Sequence, residues 1–532
     1  MNKIGKITKI TGDRITVLVD ETSDIGSVYV SGFTSGFVSI GALIGTNLVD
    51  GRTLVLAVDE ISTQGQGVNI IASVSGIYDI VSENFSFGTN SYPLIGEPVF
   101  KLKSEILSRI FQPKEANGPT IGTYAYDSNV AVGYNPNVLF GKHLGAFGNS
   151  GSGKTCTVVS VIQRYIRGNS DRDIKFIILD VNGEYKTAFR PEEYEYIPFD
   201  RLRLHHSKLN YPEYGKLFRA AEGIQYPAMK KCIKDLASLK PKWELCNLSK
   251  KLENWIDNEA AKNSKVPGQK DLFTKNSLSG NLRSMLLRID GITSDSDLMR
   301  VIDSPNDRET LDEILQSNKK VFILDLQVSS DSLDIVIYLL FKSIYELKAR
   351  RDNPTHICLV LEEAHRYINT DSAETKLGNY YIDKLSREGR KFGMGLIISS
   401  QVPSMLDSSV VSQCNSVIMH KITNWKDMDF LRKVLRLSGD TRSLQMSALE
   451  KQYAIVCGEA FPNDTLVRIH DASPLPRSSD PVIPLMAAAK TAEGNCPGAG
   501  PVPKSAGFLA AGQAQDGNSN DSSQNLTGSE PN

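Results

Sequence analysis

The chain has 532 residues and is almost electroneutral, with 60 Lys and Arg against 61 Asp and Glu. Hydrophobic residues make up 40% and charged residues 23%, the balance of a folded globular protein and not of a disordered or fibrous one. Near-neutrality excludes a wholly basic nucleic-acid coat but not a local basic channel, and the length admits about three domains.

The amino-terminal MNKIGKITKITGDRITVLVDE has no continuous apolar run and no small-residue cleavage site, so no secretory signal is expected. Residues 1–95 alternate short β-rich runs with glycine: KIGKITKI, DRITVLVD, GSVYVSG, FVSIGALIG, TLVLAVDEI and VNIIASVSGIYDI. Short strands at a spacing of about 8–12 residues, with no helical period between them, predict a small β-barrel. Residues 96–140, carrying Pro98, Pro113, Pro119 and Pro136, read as a connector.

From 141 to 475 the pattern changes to short apolar runs separated by helical or loop segments. The runs are HLGAF (143–147), KFIILD (175–180), VFILDL (321–326), ICLVLE (357–362), GLIISS (395–400), SVIMH (416–420) and YAIVCG (453–458). Continuous rather than alternating apolar character means burial on both faces, the mark of a mainly parallel sheet covered by helices. A Lys-, Leu- and Ser-rich stretch at about 200–310 reads as a helical insertion. Residues 476–532, dense in Pro, Gly, Ala, Ser and Asn, bury too little apolar area to offset chain entropy and are expected to be disordered.

The longest apolar run, IVIYLLFKSIY (335–345), is too short to span a bilayer and contains Lys342. Seven cysteines stand without CxxC pairs or zinc-like spacing, which predicts reduced thiols, no metal framework and a cytoplasmic location.

Gly148-Asn149-Ser150-Gly151-Ser152-Gly153-Lys154-Thr155 fits GxxxxGK(S/T), directly after the HLGAF run and before the helix-compatible TCTVVSVIQRYI, which begins Thr155-Cys156. The glycines let successive backbone N–H groups curl around a β-phosphate, and the helix start adds a favourable dipole. Lys154 is expected on the β/γ oxygens of ATP and the Thr155 hydroxyl on Mg2+. ICLVLEEAHRY supplies acids at the end of another strand: Glu362 to hold the metal, Glu363 to polarise the attacking water. Gln401 ends the 395–400 run, where an amide can sense the γ-phosphate; a turn-capping role before Pro403 is the alternative. In DVNGEY (180–185), Asp180 reads as a site acid, and Glu184 is evenly balanced between site and solvated loop. SREGRKFG (386–393), with Lys384 nearby, is either a solvated basic face or the source of an arginine finger, Arg387 or Arg390, acting in a neighbouring subunit.

Taken together, KHLGAFGNSGSGKT, DVNGEY, VLEEAHRY, REGRKFGMGLIISSQVPS and ALEKQYAIVCGEAF resemble the HerA branch of the HerA–FtsK translocating ATPases, over about 120–475. The resemblance implies an α/β fold: a RecA-like P-loop ATPase core behind a small amino-terminal β-barrel. It further implies a homohexamer that uses ATP to move duplex DNA through a central channel, with a nuclease such as NurA or, in defence systems, a sirtuin-like or other effector subunit. Lys154 and Thr155 take the Walker A places, Glu362 and Glu363 the Walker B places, Gln401 the sensor place, and Arg387 or Arg390 the trans arginine. Family members often carry Arg where this chain has Lys142; lysine keeps the charge at this nucleotide-sensing place but loses the bidentate fork. Two other readings stay open: an ATPase scaffold that gates a partner effector without moving DNA, and a secretion- or conjugation-type ATPase.

Overall fold

The computed structural model describes residues 3–19, 38–64, 67–113, 118–169, 171–263, 274–304, 308–351, 353–368, 378–435 and 445–477. The GSVYVSG run and the expected disordered segment from 478 onward lie outside them. Among the described residues no helix is long and apolar enough to cross a membrane, and the cysteines are free thiols.

Two sheets carry the fold. In the first, Arg14–Val19 pairs with both Lys3–Thr11 and Gly67–Asp79, so the order closes through Pro98–Lys101, Leu43–Asn47 and Thr53–Gln64 into a six-stranded barrel. Closure removes the free edges that an open sheet would expose. A further strand, Asn84–Phe87, hangs from Gly67–Asp79. Strand alternation fills the interior: Leu54, Leu56 and Val58 point inward to meet Ile15, Val17 and Ile70. The outward residues Val55 and Ala57 are buried as well, in a cluster that also holds Phe111, Tyr124 and Phe140.

Residues 96–140, expected as a connector, are instead built into both sheets. Pro98–Lys101 completes the barrel, Ser104–Phe111 is a helix, and Thr120–Tyr124 with Asp127–Gly133 forms a hairpin at the edge of the second sheet. Two of the prolines misled because they stand at element starts. Pro98 opens a strand and Pro136 opens the helix Pro136–Gly141, where the missing N–H costs nothing.

The second sheet has eleven strands. Seven are parallel, in the order Tyr194–Ile197, Val321–Asp325, Ile174–Asp180, His356–Leu361, Met394–Ser400, Leu144–Phe147 and Ser416–Met419. Tyr453–Gly458, Thr465–Ile469 and the 120–133 hairpin extend it antiparallel. Both faces are covered: in Ile174–Asp180, Ile177 and Leu179 join one core cluster while Phe176 and Ile178 join the other. The 200–310 insertion is helical, with Gln225–Leu239, Asn247–Asn263 and Lys275–Thr293 as its main elements. Its Leu248, Leu252, Leu278 and Leu282 share the cluster of Ile177 and Leu179.

Candidate functional site

The P-loop strand Leu144–Phe147 lies between Met394–Ser400 and Ser416–Met419, so groups leaving all three strands meet at one carboxyl edge. The chain then turns through 148–153 into the helix Lys154–Gly168. Gly153 caps that helix at φ 110°, a conformation that side-chain-bearing residues rarely adopt. At Gly148 a Cβ would stand 2.7 Å from the Cβ of His420, so the crossing admits only hydrogen. The loop is pinned from outside and within: Asn149 N–H donates to the Lys421 carbonyl at 2.8 Å, and Ser152 Oγ to the Asn149 carbonyl at 2.7 Å. Lys154 Nζ donates to that same carbonyl at 3.0 Å. Burial lowers the Lys154 pKa, opposed by the charges of Glu363, Glu362 and Glu184.

Two carboxylates at the end of His356–Leu361 part ways. Glu362 is 1% exposed and accepts from Tyr185 OH at 2.6 Å and Ser399 Oγ at 3.2 Å. Burial outweighs those donors and pushes its carboxyl up to about 7. Glu363 sits at φ 45°, a strained left-handed conformation for a non-glycine residue. Its carboxylate accepts from the side-chain amide and backbone N–H of Gln401 and lies 3.3 Å from His365 Nδ1. His365 in turn contacts Ser400 Oγ at 3.2 Å.

A cavity of about 380 Å³ opens over this edge, lined by Ser150, Gly151, Gly153, Lys154, Thr155, Cys156, Glu184, Glu363 and Gln401. The structure thus brings most of the sequence-predicted set together. Glu184, left open between two readings, belongs to the site: it accepts from Thr155 Oγ1 at 3.0 Å, and burial raises its pKa. The donor set fits a magnesium–nucleotide triphosphate, with a buried lysine, helix-start amides, a hydroxyl and the two acids Glu184 and Glu363 lining one space.

Other expected residues fall elsewhere. Asp180 is fully buried, and its carboxylate accepts the backbone N–H groups of Gly183, Glu184 and Tyr185 at 2.8, 3.1 and 3.0 Å. It shapes the loop that presents Glu184 and does not line the cavity. Glu362 lies behind Glu363, off the cavity wall, and the hydroxyl of Thr155 is paired with Glu184 rather than with Glu362. Lys142 stands at the amino end of the P-loop strand, the far end from the phosphate loop, and is ion-paired with Glu459. Arg390 is there too, 3.5 Å from Asn415 Oδ1, and Asn415 Nδ2 donates to Glu459 at 3.2 Å. Arg387 is exposed and pairs with Asp383 at 2.8 Å, one helical turn back. Both arginines precede Met394–Ser400, whose seven residues separate them by about 20 Å from the carboxyl edge.

The sequence reading missed Tyr185, His420 and the segment 469–476. Tyr185 is fully buried and bonds Glu362. His420 backs the P-loop, 3.0 Å from Thr157 Oγ1, and burial drives its pKa down to about 3. A polar residue just past an apolar strand was the available signal for His420. The 469–476 segment continues from the end of Thr465–Ile469 and lines the same cavity as the P-loop.

Residues 119–344 match the family described as helicase HerA, central domain. The DNA double-strand break repair helicase HerA of Sulfolobus acidocaldarius is 26% identical over 406 residues, covering 73% of this chain and 76% of that protein. The corresponding helicase of Pyrococcus furiosus is 24% identical over 460 residues, covering 79% and 81%. Among solved structures, VirB4 of Thermoanaerobacter pseudethanolicus superposes with a TM-score of 0.50 at 13% identity, over 68% of this chain and 98% of that one, and so shares the fold. With a formed P-loop site, a match to the HerA central domain over 119–344 and HerA helicases that align over most of its length, the chain is a P-loop ATPase similar to HerA.

Proposed function

We propose that this ATPase is a translocase of duplex DNA that works as a homohexameric ring, together with a nuclease or other effector subunit. The observation that carries the assembly is the placement of its cations. Lys142, Arg387 and Arg390 lie away from the chain's own cavity, at the opposite end of the same strands. A ring places that edge of one subunit against the nucleotide edge of the next, so an arginine reaches phosphate only in trans. The names of the relatives, repair helicases, supply the direction toward DNA.

In this reading Lys154 and the loop amides hold the phosphates, and the Thr155 hydroxyl, which donates to Glu184 here, would hold the metal. Mg2+, when bound, supplies charge neutralisation between the phosphate oxygens. Glu362, 1% exposed and bonded to Tyr185 and Ser399, would add negative charge to the metal site once ionised. Glu363, aimed into the cavity and held by Gln401 and His365, orients and deprotonates the attacking water. Gln401 reports the γ-phosphate to the strand that carries the trans arginines at its other end.

The test is ATP turnover with and without duplex DNA across a salt series, alongside the mass of the particle in solution. Stimulation by DNA that falls with salt, in a six-subunit particle, supports the reading. Arg387→Ala or Arg390→Ala should reduce turnover by about 10³-fold while nucleotide binding persists. Full turnover in a monomer, or turnover that ignores DNA and appears only with a partner protein, would overturn it.

A further inference from the structure

One wall of the cavity has no role in the phosphate chemistry. It is made by the segment Ile469–Pro476, which runs along the P-loop helix and is fastened to it at helical spacing. Ser160 Oγ donates to the Asp471 carbonyl at 3.4 Å. Gln163, 1% exposed, accepts from Ser473 N–H at 2.8 Å and donates to the Pro474 carbonyl at 2.9 Å. Arg167 donates to the Ser473 carbonyl at 2.8 Å. From the other side Thr187 Oγ1 donates to the Leu475 carbonyl at 3.2 Å, and Arg477 N–H to the Glu184 carbonyl at 2.8 Å. The backbone of this strap is therefore tied at nearly every residue. Yet Leu475 is 61% exposed, and it lines the same cavity as Lys154 and Thr155. Ile469, Ala472 and Pro476, all buried, add apolar surface to that wall, beside the polar His470 and Asp471 of the same segment.

A nucleotide whose phosphates occupy the loop must put its uncharged end somewhere in the remaining volume. Aliphatic side chains on a tied-down backbone, lining the same cavity as the phosphate loop, are a surface for a flat heterocycle, because they bury its face with little reorganisation. We propose that the strap Ile469–Pro476 is the nucleoside wall of the site and that Leu475 is the platform on which the purine ring of ATP packs. The proposal rests on the nucleotide reading of the P-loop and adds to it the residues that bind the other end of the molecule. It also explains why an exposed leucine is held on so rigid a segment: its exposure is to the ligand space. The strap's tie to the Glu184 carbonyl links ring binding to the loop that holds Thr155.

Inorganic tripolyphosphate separates the two ends, since it carries the phosphates without the nucleoside. Binding of ATP and of tripolyphosphate to the full chain is measured by calorimetry for the native protein, Leu475→Ser, Leu475→Met and Lys154→Ala. Leu475→Ser should weaken ATP about tenfold, the effect of exposing half a leucine's worth of apolar contact, and leave tripolyphosphate within twofold. Leu475→Met, which keeps the apolar surface, should retain ATP affinity. Unchanged ATP affinity in Leu475→Ser, or parallel loss of ATP and tripolyphosphate, would overturn the assignment. Lys154→Ala should weaken both ligands together; if it weakens neither, the P-loop reading fails, and not merely the strap's part in it.

Discussion

Replacing Glu362 by glutamine tests whether burial at the end of the acid strand sets the chemistry of the site. In the folded chain the carboxyl is pushed up to about 7 from an ordinary 4.5, with burial as the largest cause and the Tyr185 donor opposing it. An acid that holds its proton more tightly when folded contributes stability that is fully present below pH 4.5 and is lost as the pH rises through 7. At about 1.4 kcal/mol per tenfold, that difference amounts to roughly 3 kcal/mol as an upper bound. Glu362→Gln keeps the shape and removes the titration. It should therefore match the native protein at pH 5 and exceed it in stability at pH 8. The compact unit 1–480 has an unfolding entropy of about 1 kcal/mol/K, so the gain at pH 8 corresponds to roughly 3 °C in Tm. The assay is thermal melting of both proteins, without nucleotide or magnesium, from pH 5 to pH 8. Subtracting the two profiles removes every other titrating group. If the difference is flat across that interval, Glu362 is an ordinary solvated acid and the argument from burial is wrong.

Three further outcomes are expected. Lys154→Ala should abolish ATP turnover, measured by phosphate release, because Lys154 is the buried lysine of the cavity among the described residues, whereas Lys451, which also lines it, is exposed. Tyr185→Phe removes the hydroxyl that donates to Glu362 at 2.6 Å; it should cost about 1–2 kcal/mol of stability and shift the acid limb of the kcat–pH profile upward, since the lost donor favoured the ionised form. Gly153→Ala forces a side chain into φ 110° at the helix start, which should cost about 1–3 kcal/mol, read as a lower Tm and weaker ATP binding.

The seven apolar runs of the second sheet were legible because strands buried on both faces need no alternation to announce themselves. Every one of them is a strand in the fold, within a residue or two. The elements that escaped notice have other patterns. Tyr194–Ile197 reads YEYI and is half polar, and the 120–133 hairpin hides among prolines and glycines. At the site, residue type was readable and direction was not. DVNGEY holds two acids, and only the turn decides that Asp180 faces loop amides while Glu184 faces Thr155. Lys142 precedes the P-loop strand in sequence, but a strand carries its two ends to opposite edges of the sheet, so closeness along the chain became distance across the fold. The strap 469–476 left no signal, since its function depends on where Gln163 and Arg167 anchor it.

The strand Thr53–Gln64 is buried on both sides, inside the barrel and against the cluster of Phe111, Tyr124 and Phe140. Hydrogen bonds cross the same seam, from Leu43 N–H to Tyr124 OH and from Ser75 Oγ to Asn463 Oδ1, each at 2.8 Å. A bead on a flexible leash would absorb the motion of its neighbour; a module glued along one wall cannot. The barrel is therefore a packed part of the ATPase body and not a tethered module.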